Sequence, residues 1–156
     1  TGIPPAMPRF NTAVRLSRED FTGDFSLLSL QVQIRRPNEL EVWETLRLTP
    51  NQDGTLQVAL PQGTYDFAFK ADRSLRRVLR GITIPLSGEL NVSLVMGDAD
   101  DDNEVTLFDF GRLVSAFGSM PGDPSWNPAC DFDGDEEVTL FDFGILVRNF
   151  GLIGDE

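Results

Sequence analysis

The chain contains no histidine and a single cysteine, Cys130. The missing histidine removes the commonest general base and the commonest zinc ligand. A lone cysteine excludes an intrachain disulfide and a thiolate metal cluster, and Cys130 reads as a small buried apolar residue. No apolar run approaches the roughly 20 residues that a membrane-spanning helix needs. No basic stripe is present to meet phosphates, which argues against a nucleic-acid partner. The chain starts at Thr1 rather than Met and shows no leader segment, as a processed chain would.

What is present in excess is acid, and it is concentrated in one place. The formal net charge is −12. Residues 97–156 carry 15 Asp and Glu against two basic residues, Arg112 and Arg148, whereas residues 1–96 carry 10 acidic and 11 basic side chains. Such segregation points to a cation site rather than a generally acidic surface. Hydrophobic residues make up 40% of the chain, enough for a packed core.

Residues 1–9 hold three prolines and are expected to form neither helix nor central strand. Short β-rich runs follow at 10–16, 26–35, 40–48, 54–60, 64–70, 77–84 and 88–96. Turn signals such as Pro50-Asn51-Gln52-Asp53-Gly54 and Pro61-Gln62-Gly63 separate them. Alternation is clear in Leu28-Ser29-Leu30-Gln31-Val32-Gln33-Ile34. Seven such runs predict an antiparallel, Ig-like or prealbumin-like β-sandwich over residues 10–96. The stretch with Pro61, Gly63 and Tyr65 before a strand resembles the end of a prealbumin-like or carboxypeptidase-regulatory-like sandwich, a resemblance that implies fold and not function.

After residue 96 the pattern changes to a repeat. EVTLFDFG occurs at 104–111 and again, letter for letter, at 137–144. Each copy runs into an apolar-periodic helix, with Gly118 and Gly151 where a helix C-terminus is expected. A Pro/Gly loop with Trp126 joins the copies. A twelve-residue loop can supply oxygen ligands to calcium from positions 1, 3, 5, 7, 9 and 12. In residues 98–109 these are Asp98, Asp100, Asp102, Glu104 (through its carbonyl), Thr106 (through water) and Asp109. In residues 131–142 they are Asp131, Asp133, Asp135, Glu137, Thr139 and Asp142. Two calcium ions are therefore expected. Val105 and Val138, at position 8, are expected to pair the two loops as a small β-bridge. Position 6 needs a left-handed backbone and carries Asn103 and Glu136; Asn tolerates it better, so the first loop is expected to bind more tightly. Four converging carboxylates repel one another without the ion, so chelation should disorder the helical part.

Residues 97–151 resemble a type I dockerin. The shared features are duplicated D-x-D-x-D-x-x-x-T-x-x-D loops, Asp at position 12, one helix after each loop, and none before. The resemblance implies two loop–helix units packed antiparallel, secretion, and docking onto a cohesin module. Positions 10 and 11, often a Ser-Thr pair facing cohesin in that family, are here Leu107-Phe108 and Leu140-Phe141. These read either as core at each helix start or as a hydrophobic docking surface present twice. Phe110 and Phe143 would pack inward or against the sandwich.

The expected architecture is mainly β with a small α module: a Pro-rich segment, a sandwich, and a dockerin-like pair of calcium loops over 97–156. The expected function is extracellular structural assembly, head-to-tail with itself through the N-terminal segment and a sandwich edge. Termini of this composition, the tail 152–156 included, usually fray unless something holds them, and a neighbouring subunit could do so by accepting the N-terminal segment at an open sheet edge. The alternative is a scaffold-attachment module bound to a cohesin-like partner at the cell surface. Catalysis is not expected: the remaining acids, such as Glu39, Glu41, Glu44 and Asp66, are scattered as on a solvated face. A glycan could stack on Trp43, Tyr65 or Trp126, and Asn91-Val92-Ser93 is a glycosylation sequon with Asn91 alternating outward.

Overall fold

A computed structural model describes residue 3 and residues 7–156. Most of the Pro-rich segment, residues 1, 2 and 4–6, lies outside the described residues, and with it the expectation that this segment joins subunits.

Two sheets face each other. One is β3 (Val42–Leu48), β2 (Leu30–Arg35), β5 (Gly63–Ala71) and β7 (Arg77–Ile84), in that order. The other is β4 (Thr55–Leu60), β1 (Phe10–Leu16) and β8 (Glu89–Val92). Alternation decides what lies between them. Leu30, Val32 and Ile34 of β2 and Phe67 and Phe69 of β5 are fully buried, with Val32 opposite Phe69 and Ile34 opposite Phe67. Val14, Leu16, Val58, Leu60 and Val92 close the core from the second sheet. Burial of such side chains contributes on the order of 1.5–3 kcal/mol each.

The seven expected runs are all present as strands, with two corrections. Residues 26–29 lie outside the strand: Phe25–Leu27 forms a 3-10 turn whose Asp24 carboxylate caps the Ser26 amide at 2.8 Å. That local side-chain bond competes with the ladder. The sandwich is also not wholly antiparallel, since β1 and β8 run parallel, Val14 beside Leu90. Two short strands escaped sequence reading, β6 (Arg73–Ser74) and β9 (Met96–Asp98), which pair with each other. Two- and three-residue strands carry no readable period.

Helices α1 (Leu107–Ala116) and α2 (Leu140–Asn149) complete the chain. Each starts at a threonine N-cap: Thr106 Oγ1 accepts from the Phe108 amide, and Asp109 reaches back to the Thr106 amide at 2.7 Å. Thr139 and Asp142 repeat this capping box. Each helix ends before a glycine of positive φ, +81° at Gly118 and +86° at Gly151, as the sequence implies.

The two halves share one hydrophobic core. Met96, Val105, Leu113, Phe132, Val138 and Leu146 join the same cluster as the sandwich residues. The C-terminal tail is held by contacts within the chain. Asp155 accepts from the Val78 amide at 2.8 Å, and the Glu156 carbonyl accepts from Arg35 at 2.9 Å and Arg76 at 3.1 Å. The order of residues 152–156 therefore gives no reason to invoke a second subunit.

Candidate metal centre and exposed helix starts

Each loop folds around the carboxylate at its first position. Asp98 accepts from the amides of Asp102 at 3.0 Å and Asn103 at 2.8 Å; Asp131 accepts from those of Gly134 at 3.1 Å and Glu136 at 2.9 Å. The carboxylates at position 12 close the rings, with Asp109 accepting from the Asp100 amide at 3.1 Å and Asp142 from the Asp133 amide at 3.2 Å. The turn this requires puts Asn103 at φ +66° and Glu136 at +64°, the left-handed backbone expected of position 6. Position 4 is left-handed as well, at Asp101 (+61°) and Gly134 (+78°).

The result is two clusters, Asp98, Asp100, Asp102, Asp109 and Asp131, Asp133, Asp135, Asp142, whose oxygens within each cluster lie within 4.8 Å of one another. Glu104 and Glu137 stand outside these clusters, in keeping with a role for their carbonyls alone. Thr106 and Thr139 turn their hydroxyls to the helix amides at 3.2 and 3.3 Å, because position 9 doubles as the N-cap.

The electrostatics of the clusters favour a cation. Burial, reinforced by neighbouring carboxylates, pushes Asp131 and Asp142 up to about 7. Burial, with hydrogen bonds shared with Asp102 and Asp109, pushes Asp100 up to about 6. Burial raises Asp98 despite the Lys70 ammonium, and raises Asp135. Asp102 moves the other way: burial would raise it, but the Glu104 amide and hydrogen bonds from Asp100 and Asp98 outweigh that. Asp100 Oδ1 is buried with no hydrogen-bond partner. Buried polar atoms are rarely left unpaired, and an oxygen-only donor set suits a hard divalent ion such as calcium.

Val105 and Val138 do not pair with each other. The Val105 amide donates to the Leu152 carbonyl at 3.0 Å, and the Val138 amide to that of Ser119 at 3.0 Å. Gly151 and Gly118 return the bond, to Val105 at 2.8 Å and Val138 at 2.7 Å. Each loop is thus sealed by the chain leaving the opposite helix, so the two loop–helix units make reciprocal bonds about a pseudo-twofold axis. Phe110 and Phe143 meet across that axis, with ring centroids 5.8 Å apart.

The duplicated Leu-Phe pairs are not core. Leu107 and Phe108 are 71% and 76% exposed, and Leu140 and Phe141 are 71% and 75% exposed. Helix geometry explains this: Asp109 and Asp142 must turn inward to close the loops, so the two residues before each point outward. Val114, Phe117, Val147 and Phe150 extend the exposed apolar surface. Large exposed apolar side chains thus stand at matching positions in the two repeats.

Other candidates fare differently. Asp66 is buried rather than solvated, accepting from the amides of Asn38 and Gly81 at 2.8 Å and from Arg80 at 3.3 Å. Tyr65 is buried, with its hydroxyl donating to the Pro61 carbonyl at 2.9 Å and Trp43 edge-on at 6.0 Å. Trp126 packs against the core. Trp43 and Trp126 are half-buried, and Trp43 and Tyr65 line a shallow cavity of about 290 Å³ with Pro61 and Thr64. Asn91 is exposed on β8, and Cys130 is buried with its thiol pushed up to about 12 by that burial.

Sequence reasoning missed the residues that join the loops to the sandwich. Lys70 reaches Asp98 at 3.1 Å and Asp101 at 2.6 Å, and Arg73 donates to the Asp131 carbonyl at 2.9 Å. Asp20 accepts from Arg148, from Asn149 at 2.8 Å and from the Met96 amide at 3.1 Å. The Thr22 and Gly23 amides both donate to the Asp133 carbonyl at 3.1 Å, and a Cβ at Gly134 would lie 2.4 Å from the Phe21 ring. No spacing rule links such distant positions, although a solitary lysine among arginines was a visible signal.

No family model matches this chain, and no curated protein matches it. Solved structures do. A chain of a C-terminal interface mutant of the type II Cohesin-X-Dockerin complex from Acetivibrio cellulolyticus superposes with a TM-score of 0.71 at 16% identity, over 92% of this chain and 97% of that one. A chain of the N-terminal interface mutant of the same complex gives 0.67 at 15% identity, over 94% and 97%. Among the described residues no helix is long and apolar enough to cross a membrane. The protein is thus a mainly β, sandwich-like fold with two small helices, shared with a chain from a protein–protein complex.

Proposed function

We propose that this chain is an extracellular docking protein, in which a calcium-clamped, dockerin-like module carried by a β-sandwich engages a cohesin-like partner. The observation that carries this reading is the pair of exposed Leu-Phe steps, Leu107-Phe108 and Leu140-Phe141, each held at a helix start by an acidic loop. The breadth of the structural likeness supports the dockerin side of such a pair. A match over 92% of this chain takes in most of residues 97–156, so the likeness is not to the sandwich alone. Calcium acts here as a permanent clamp: these loops lack the preceding helices through which calcium sensors open.

The test is calorimetric titration of the purified chain with a panel of type I and type II cohesin modules, with calcium and with chelator. Calcium-dependent binding that Phe108→Ala and Phe141→Ala together abolish supports the reading. Absence of binding across the panel in calcium overturns it.

Head-to-tail self-assembly is the second reading. It now rests on the outer edge of β3, which has no strand partner among the described residues. Light scattering with and without calcium separates the two: polymers in either condition favour self-assembly, and a monomer favours a foreign partner.

A further inference from the structure

The two loops share their ligand positions and their backbone turns, yet the sandwich treats them differently. Lys70, at the end of β5, is the only lysine in the chain. Its side chain is 10% exposed and lies over the first loop. The ammonium donates to the Ser74 carbonyl at 2.6 Å and to Asp98 Oδ2 at 3.1 Å, and pairs with Asp101 Oδ1 at 2.6 Å. The second loop also has a cation, Arg73, but this one grips backbone. Its Nη1 donates to the Asp131 carbonyl at 2.9 Å and stays 3.9 Å from the Asp131 carboxylate. Its charge is further shared with Asp72 at 3.3 Å and lies 5.7 Å from the centre of the Phe21 ring.

We propose that Lys70 is a built-in counter-cation of the first loop, which holds that loop in shape without metal and makes it the weaker of two unequal calcium sites. This rests on the calcium reading of the loops. The reason is charge and contact. A divalent ion entering the first loop meets a fixed positive charge already seated on a first-position carboxylate. In the second loop the nearest fixed cation touches a carbonyl and stays 3.9 Å from the first-position carboxylate; both cations also pair with a neighbouring aspartate, Lys70 with Asp101 and Arg73 with Asp72. Repulsion at such short range lowers affinity roughly ten- to a hundredfold even when well screened. Backbone strain does not decide the ranking: Asn103 against Glu136 favours the first loop, whereas Asp101 against Gly134 favours the second. The order is therefore the reverse of the one that position 6 alone implies.

The test uses the full chain stripped of metal, titrated with calcium by calorimetry, beside Lys70→Gln. The expected result is two unequal affinities in the parent. Lys70→Gln strengthens the weaker by roughly tenfold or more, leaves the tighter unchanged, and melts at a lower temperature without metal. A second measurement needs no substitution. Reductive 13C-methylation retains the charge and marks Lys70 alone among the side chains. Its NMR signal should move only as the second equivalent of calcium binds. Movement with the first equivalent, or affinities unaltered by Lys70→Gln, overturns the role of Lys70. A parent chain that takes up no calcium overturns the calcium reading itself, a distinct outcome.

Discussion

The side-chain amide of Asn149 donates to Asp20 Oδ2 at 2.8 Å, tying the last turn of α2 to the segment after β1. The same carboxylate accepts from Arg148 and from the Met96 amide. Three elements therefore meet on one side chain at the seam between the sandwich and the loop–helix module. Replacing it leaves the Met96 N–H and one N–H of the buried Asn149 amide without an acceptor, the other N–H still donating to the Met96 carbonyl at 2.8 Å. Asp20→Ala should lower stability by about 2–3 kcal/mol, with Arg148 adding little because it is mostly exposed. Denaturant unfolding monitored separately by helix and sandwich signals should then show two transitions in place of one. A single transition of unchanged midpoint would contradict this.

Metal removal should act on one half of the chain. With four carboxylates in each loop and no ion, repulsion opposes the turn that sets each helix start, less so in the first loop, where Lys70 offsets part of it. Chelator should reduce the helical circular-dichroism signal and leave the sandwich spectrum, and calcium should restore it. An unchanged helical signal in chelator would show that the loops hold themselves.

Acidity should affect the metal-free and calcium-bound chains in opposite directions. Asp131 and Asp142 stand near 7 when folded against an ordinary 3.8, so the metal-free fold takes up protons that the unfolded chain does not. Their contribution to stability is therefore fully present below about pH 4 and is lost as the pH rises through about 7. Calcium competes with those protons, so its affinity should rise over the same window. Melting at about pH 5 and about pH 8, each with chelator and with calcium, checks both signs. A chelated chain that melts higher at pH 8 would refute the first.

The exposed phenylalanines should matter to binding and not to folding. Phe108→Ala and Phe141→Ala remove no core contact, so each should change stability by no more than about 0.5 kcal/mol. Loss of partner binding with an unchanged melting temperature is the expected pair of results. A large fall in melting temperature would return these residues to the core.

Cys130 should report on the integrity of the module. Its thiol is buried and pushed up to about 12, so at about pH 8 only about one molecule in ten thousand carries the reactive thiolate. A thiol reagent should modify it very slowly in calcium and much faster in chelator. Equal rates in the two would place Cys130 outside the calcium-dependent part of the fold.

Local chemistry was legible in the residues themselves. Asp at positions 1, 3, 5 and 12, Thr at 9 and glycine after each helix act within about a dozen residues, and they specify loop, cap and helix end without help from the rest of the chain. The seven longer strands announced themselves through alternation, which needs only that one face be buried. Tertiary structure decided the rest, because those outcomes depend on which distant segment arrives. Alternation cannot say that β8 lies parallel to β1, that Asp66 is enclosed by Asn38 and Gly81, or that the tail closes on Arg35 and Arg76. The Leu-Phe steps were ambiguous for the same reason: apolar residues at a helix start become core or contact surface according to which side the neighbours cover. The loops, readable as a matched pair, became unequal only when folding brought Lys70 to Asp98 and Arg73 to the carbonyl of Asp131.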